Sequence, residues 1–187
     1  GGLHVPIYAV NDTNNKVNAQ LDIALYDGQF NLTESESLSV SIPTDRSIMV
    51  AEKKFAVSDA PAPLFLRLDL KNESGRIDRN WYYFDFAENP GTLFARPQTT
   101  LTGQLKTKDG STSVIVRNIG RLPALSMEIH PGEASNTYYA DQSGLWLDPG
   151  EEVTINITKT HAIDGEDRSL MTILLSAWNA ETVEIKV

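Results

Sequence analysis

The chain contains 187 residues, 41% of them hydrophobic and 22% charged, which is enough apolar material for the cores of two small domains. Its formal net charge of -9, with no cluster of lysine and arginine residues, argues against a nucleic-acid partner. The absence of cysteine excludes disulfides and thiolate metal sites, and no apolar run approaches the roughly 20 residues that a membrane-spanning helix needs.

Apolar and polar residues alternate at period two along the first half of the chain, which predicts strands with one face in a core. The clearest run covers residues 17–25. The turn signal Tyr26-Asp27-Gly28 follows it, and Gly28 is expected to supply a positive φ angle. Further strands are predicted at residues 38–42, 64–70 and 77–86.

A domain boundary is predicted near Arg96, because proline and glycine punctuate residues 87–98 and the strand pattern restarts at Thr99. The second half predicts strands at residues 99–107, 113–117, 124–130, 153–157, 170–178 and 183–187. About seven short strands in each half, without βαβ alternation, predict an all-β fold. We therefore expect two tandem immunoglobulin-like β-sandwich domains, residues 1–96 and 97–187.

Residues with catalytic or metal-binding chemistry form no recognisable constellation. The histidines are scattered singly: His4, His130 and His161. No G-x-S-x-G motif is present, so a serine hydrolase is not predicted. The paired carboxylates Glu151 and Glu152 open a predicted strand after Pro149-Gly150, where a solvated role is expected. The acidic loop 164–167 offers at most adventitious cation binding, and no metal or cofactor is predicted.

Aromatic side chains are the remaining candidates for a binding function. Exposed rings can stack on sugars, although large aromatics in sandwiches are more often buried in cores or domain interfaces. The candidates for such stacking are Trp81, Tyr82, Tyr138, Tyr139 and Trp146. Four N-x-S/T sequons also occur, and we expect them to arise by chance in a sequence rich in asparagine, serine and threonine: Asn11, Asn31, Asn72 and Asn156.

Several motifs, in order along the chain, resemble the domains that follow the catalytic barrel in glycoside hydrolase family 2, particularly in β-mannosidases and exo-β-D-glucosaminidases. They lie at residues 3–5, 66–84, 117–124, 139–142, 145–151 and 176–179. Gln142 stands where this family usually has asparagine, and Ala177 where it usually has glycine. In physical terms these motifs are turn and strand-edge sequences, so they are expected to specify a sandwich and not a reaction.

The resemblance implies a retaining exo-β-glycosidase whose catalytic glutamates lie on a (β/α)₈ barrel upstream of Gly1, so that no catalytic residue is expected here. The chain is then a non-catalytic fragment. Its expected partner is that barrel, carbohydrate is a further candidate partner, and no nucleic acid and no membrane are expected. The residues expected to contact sugar or barrel are Trp81, Tyr82, Tyr139, Asp141 and Trp146. A bacterial protein of periplasmic or secreted location is expected.

Two alternatives stay open at this point. One is a free-standing carbohydrate-binding module, which the aromatic residues would serve. The other is an adhesion-type or chaperone-type pair of sandwiches, in which an unpaired edge strand recruits a partner.

Overall fold

A computed structural model describes residues 2–56, 63–85, 96–108, 111–132, 138–159 and 172–186. Over these residues the chain is all-β, which confirms the predicted fold class, and none of them forms a helix that could cross a membrane. The chain divides into two compact units, unit 1 (Gly1–Thr92) and unit 2 (Leu93–Val187). The division lies close to the junction expected near Arg96, whose position stays a prediction.

Unit 1 contains six strands among the described residues: β1 (Gly2–Asn11), β2 (Val17–Tyr26), β3 (Leu32–Ile42), β4 (Arg46–Ala56), β5 (Leu64–Asn72) and β6 (Gly75–Phe84). β1 and β4 pair as a two-stranded antiparallel sheet, while the others form a four-stranded antiparallel sheet in the order β3-β2-β5-β6. The period-two alternation places one face of each strand in a shared apolar core. Its buried members are Ile7, Leu21, Ile23, Leu25, Val40, Ile42, Phe55 and Leu66.

The turn between β2 and β3 differs from the prediction in one respect. Phe30, and not Gly28, adopts a positive φ angle, at 63°. Asp27 organises the turn, because its Oδ1 atom accepts hydrogen bonds from the backbone N–H groups of Gln29 and Asn31. The ring of Phe30 stacks on that of Phe65 with centroids 4.5 Å apart, and burial of this ring offsets the backbone strain.

Unit 2 contains eight described strands: β7 (Leu101–Lys108), β8 (Ser111–Asn118), β9 (Ala124–Pro131), β10 (Tyr138–Ala140), β11 (Leu145–Leu147), β12 (Glu152–Lys159), β13 (Thr172–Ala177) and β14 (Ala180–Lys186). They form two four-stranded antiparallel sheets, in the orders β10-β12-β8-β7 and β11-β9-β13-β14. The core between the sheets includes Val114, Val116, Met127, Ile155 and Leu175. This arrangement is the two-sheet sandwich that the strand pattern predicts.

Candidate functional site

The outer face of the four-stranded sheet in unit 1 carries an aromatic and arginine cluster. Tyr26 ends β2, Arg67 lies on β5, and Trp81 lies directly opposite Arg67 on β6, so the three side chains share one face. The rings of Tyr26 and Trp81 are tilted, with centroids 5.6 Å apart. The Arg67 guanidinium carbon lies 5.6 Å from the Trp81 centroid and 5.8 Å from that of Tyr26, within the range of a cation–π contact.

A buried carboxylate anchors this cluster. Asp69 is only 1% exposed although it lies on the outer face, because two arginine side chains cover it. The Arg67 Nε atom lies 2.8 Å from Asp69 Oδ2, and the Arg79 Nε atom donates to Asp69 Oδ1 at 2.6 Å. Two cations around one anion leave a local charge of +1, on a chain whose net charge is -9. The cluster therefore presents a fixed cationic and aromatic surface.

A second charged group lies next to it on the same face, at Asp22 of β2. Lys71 donates to Asp22 Oδ2 at 2.7 Å, while Ser37 donates to Oδ1 at 2.5 Å and Gln20 to Oδ1 at 2.9 Å. The hydrogen bond from Lys71, followed by that from Ser37, lowers the pKa of Asp22 from 3.8 to about 2 against the opposing effect of burial. This carboxylate is therefore held ionised as a sheet-stabilising group and is unsuited to act as a general acid near neutral pH.

A shallow groove continues along this face, lined by polar side chains of β2 and β3 and by the β5–β6 turn. Its lining includes Asn18, Gln20, Ser39, Ser41 and Lys71, and no aromatic residue. A sugar ring placed there would find hydrogen-bonding groups but no stacking platform.

Trp81 and Tyr82 are neighbours in sequence but lie on opposite faces of β6. Tyr82 is paired with the buried Leu66 and so points to the inner side of the sheet, yet its side chain is 46% exposed. The two residues therefore cannot form one binding platform. Trp81 itself is half-buried beneath Arg67, which covers part of its ring.

The candidate residues of unit 2 do not converge on one site either. Tyr139 is 61% exposed on β10, whereas Trp146 is half-buried on β11 of the other sheet. Asp141 accepts hydrogen bonds from the backbone and side chain of Asn156, at 2.9 and 2.7 Å, and so ties the end of β10 to β12. Tyr138 is half-buried and packs against the core. Of these four candidates, Tyr139 alone presents an exposed ring.

The paired carboxylates Glu151 and Glu152 lie at the turn before β12 and at the start of that strand. Glu151 Oε2 accepts a hydrogen bond from the backbone N–H of Asp148 at 2.9 Å and closes the Pro149-Gly150 turn. Glu152 is exposed at the start of β12, opposite Arg117 of β8. Within the described ranges no group of three histidine, aspartate or glutamate residues is arranged to hold a metal ion, and the acidic loop 164–167 lies outside those ranges.

Buried asparagines are the polar residues that the sequence analysis undervalued. Asn118, at the end of β8, is fully buried, and its Nδ2 atom donates to the carbonyls of Leu122 at 2.7 Å and Leu147 at 2.9 Å. Its Oδ1 atom accepts from Gly120 N–H at 3.0 Å and from the Thr99 hydroxyl at 2.9 Å. Every hydrogen-bonding position of this amide is used, which makes it a structural clamp.

Asn179 plays a similar part in the turn between β13 and β14. Its Nδ2 atom donates to the carbonyls of Pro97 at 3.1 Å and Pro123 at 3.0 Å, and its Oδ1 atom accepts from Leu125 N–H at 2.9 Å. The motifs at residues 117–124 and 176–179 therefore specify buried amide clamps. The sequence contained a signal for these two clamps, because Asn118 and Asn179 each lie at a strand end or turn next to an apolar run.

Residues 4–87 match the family model described as a Mannosidase Ig/CBM-like domain. Unit 1 resembles that family. The match covers the sheet with the Trp81 cluster, and it confirms the resemblance that the motifs indicated over this part of the chain. No curated protein sequence matches the chain.

Solved structures extend the likeness of fold to nearly the whole chain. The exo-chitosanase CsxA of Amycolatopsis orientalis aligns with a TM-score of 0.69 and 19% identity, over 97% of this chain and 25% of its own. A β-D-mannosidase from Dictyoglomus thermophilum aligns with a TM-score of 0.64 and 16% identity, over 95% of this chain and 20% of its own. The chain thus spans a quarter or less of these enzymes, and the likeness shows a shared fold.

Proposed function

We propose that this chain is a non-catalytic accessory part of a larger glycoside hydrolase of family 2, of the β-mannosidase or exo-β-glucosaminidase kind. The match of residues 4–87 to the Mannosidase Ig/CBM-like family carries the proposal. The alignment with only 25% of the exo-chitosanase and 20% of the β-mannosidase supports it, since most of each enzyme lies outside the matched region. The proposed partner is a catalytic barrel in the same polypeptide, in a bacterial periplasm or outside the cell.

The structural contacts of three described carboxylates support a non-catalytic role. Asp22 is fixed by Lys71 and Ser37, Asp69 lies between two arginines, and Glu151 closes a turn. A retaining glycosidase needs two carboxyl groups about 5 Å apart, one of them able to donate a proton. Asp22, with its pKa lowered to about 2, cannot supply that proton near neutral pH, and Asp69 and Glu151 are engaged in the structural contacts just named.

The test compares the 187-residue chain with the full-length polypeptide of its gene on p-nitrophenyl β-mannoside and p-nitrophenyl β-glucosaminide. The isolated chain is expected to show no turnover above a boiled control, while the full-length protein hydrolyses one of the two substrates. Removal of the chain from the full-length protein is expected to lower its thermal midpoint or its kcat/KM. Turnover by the isolated chain, or a full-length protein without β-glycosidase activity, would overturn the proposal.

A carbohydrate-binding role is a second candidate, favoured by the exposed ring of Tyr139 and by the cationic and aromatic face around Trp81. Calorimetric titration with mannan and chitosan tests it. Binding that Tyr139→Ala or Trp81→Ala abolishes, while the exposed Tyr8→Ala variant retains it, would support this role. Heat changes equal to those of buffer dilution would exclude it.

A further inference from the structure

The outer face of the two-stranded sheet in unit 1 carries an exposed apolar patch. Tyr8 of β1 lies directly opposite Met49 of β4, and Val10 follows Tyr8 on the same face of β1. The exposed fractions are 60% for Tyr8, 70% for Val10 and 54% for Met49. Single exposed apolar residues are ordinary, but several that adjoin on one sheet face mark an interaction surface. These three residues form the Tyr8 patch.

The two units share one pattern of strand pairing, so the equivalent face of unit 2 can be found. Six strands correspond in chain order with the same pairings: β1, β2, β3, β4, β5 and β6 to β8, β9, β11, β12, β13 and β14. β7 and β10 are additional strands at the two edges of the β8–β12 pair, without counterparts among the described strands of unit 1. The outer face of β8 and β12 is therefore the counterpart of the face that carries the Tyr8 patch.

Two buried asparagines align β1 with β8 residue by residue. Asn11 ends β1 as Asn118 ends β8. The Oδ1 atom of each accepts a hydrogen bond from the backbone N–H two residues later, at 3.1 and 3.0 Å. The Nδ2 atom of each donates to the carbonyl four residues later, at 2.8 and 2.7 Å. The same amide clamp therefore marks the same position in both units.

Two of the three positions of the Tyr8 patch are polar in unit 2. On this alignment Arg117 stands in place of Val10, and Thr154, opposite Ile115 on β12, stands in place of the methionine. Ile115 itself is half-buried where Tyr8 is exposed. The same fold is thus built with a polar outer face at these positions, so folding alone does not account for the Tyr8 patch.

The Tyr8 patch is complementary to itself. Tyr8 offers an aromatic ring and Met49 a thioether, and contacts between sulfur and an aromatic ring are favourable. Because the two side chains are directly opposite each other, a two-fold axis parallel to the strands, between β1 and β4, would place the Met49 of each copy on the Tyr8 of the other. An interface of this isologous kind makes each contact twice.

The charges of this face are compatible with the same arrangement. The chain has a net charge of -9, so two copies repel each other in most orientations. The described outward side chains of β1 and β4 include one carboxylate, Glu52, and one ammonium group, Lys54, whose charges cancel. About the same axis Lys54 would face the His4 of the other copy and Glu52 would face Pro6, because these residues are opposite each other in the register. No like charges are brought together.

We propose that the outer face of the β1–β4 sheet is a self-association surface, on which two copies of the chain pack face to face about a two-fold axis at the Tyr8 patch. The packing is that of two aligned sheets. The face is about 33 Å long and about 10 Å wide, so it buries less area than a standard protein interface. The dimer is therefore weak, with a dissociation constant on the order of 100 μM. The proposal is independent of the proposed function.

Sedimentation equilibrium of the 187-residue chain from about 10 μM to about 1 mM tests the proposal. The weight-average mass is expected to rise from 20.6 kDa toward twice that value as the concentration increases. Met49→Glu places a carboxylate against the Tyr8 of the other copy and should raise the dissociation constant by about tenfold or more. Met49→Lys should do the same although it lowers the net negative charge. Tyr139→Glu, which adds a carboxylate at an exposed ring of unit 2, should leave the dissociation constant unchanged.

Because the chain has no cysteine, chemical cross-linking can locate the contact. Val10→Cys and the control Tyr139→Cys are each treated with a short bismaleimide, and Val10→Cys is expected to give the covalent dimer faster. A mass that stays that of the monomer up to about 1 mM, a dissociation constant that both Met49 variants leave unchanged, or equal cross-linking of the two cysteine variants would overturn the proposal. A monomer that binds mannan or chitosan through Tyr8 would assign the patch to a sugar and would also overturn it.

Discussion

Unit 2 encloses its core between two four-stranded sheets, whereas the described part of unit 1 sets a two-stranded sheet against a four-stranded one. The polar residues buried in unit 2 include two neutral asparagines, Asn118 and Asn179, whose amides are satisfied by backbone groups. In unit 1 a charged residue, Asp69, is buried on the outer face beneath two arginines. Both units hold a buried asparagine whose amide is bonded to backbone groups, Asn11 in unit 1 and Asn118 in unit 2, and unit 1 adds a buried carboxylate that is paired with two arginines on the outer face of its sheet.

The largest loss of folding stability is expected when an asparagine clamp is removed. Asn118→Ala removes an amide with four hydrogen-bonded partners and leaves buried carbonyls without donors, so it should lower the free energy of unfolding by about 3 kcal/mol. Asn11→Ala, in the more open unit 1, should cost about 2 kcal/mol. Guanidinium denaturation measures both values. The exposed Asn18→Ala is the control, and a cost for Asn118→Ala no larger than that of the control would refute the clamp.

The next largest loss of folding stability is expected at the ion-pair cluster of unit 1. Asp69→Asn keeps the shape of the side chain but leaves Arg67 and Arg79 without their shared anion, which should lower the free energy of unfolding by about 2 to 3 kcal/mol. Urea denaturation of this variant is compared with that of the exposed Asp12→Asn. If both variants unfold at the same urea concentration, the buried carboxylate does not stabilise the sheet.

The smallest contribution to folding stability is expected from Asp22, and it depends on pH. Its folded pKa of about 2 lies below the ordinary value of 3.8, so the unfolded state takes up the proton first as the pH falls. The stabilisation is fully present above pH 3.8 and is lost as the pH falls toward 2. Because Lys71 is 42% exposed and solvent screens the pair, the contribution at neutral pH should be about 1 kcal/mol.

Thermal unfolding of the parent chain and of Asp22→Asn at pH 7, 4 and 2 tests this expectation. The parent should be the more stable at pH 7 and pH 4, and the difference should disappear near pH 2. A difference that stays constant from pH 7 to pH 2 would show that a lost contact other than the charge is responsible.

The sequence predicted most strands because apolar and polar residues alternate regularly, as in β2, where residues 17–21 alternate between the core side and solvent. β4 was not predicted, since its run of charged residues, Glu52, Lys53 and Lys54, lacks clean alternation. The positive φ angle of Phe30 could not be foreseen, because it depends on a stack with Phe65. Of the candidate site, Trp81 was named from the sequence, but Tyr26, Arg67 and Asp69 join it only through strand register, which local patterns do not encode.

The clamp at Asn11 also bears on how this protein can be produced. Asn11 lies in an Asn-Asp-Thr sequon, and its Nδ2 atom, the one to which a glycan would be attached, donates to the carbonyls of Asn15, Ile42 and Pro43. A sugar on that nitrogen would be incompatible with the folded turn. In a secretion host that glycosylates proteins, attachment of a glycan to Asn11 would therefore compete with the folding of unit 1. Conversely, an unmodified Asn11 in a secreted preparation, read by peptide mass spectrometry, would report that unit 1 folded before the glycosylation machinery could reach it.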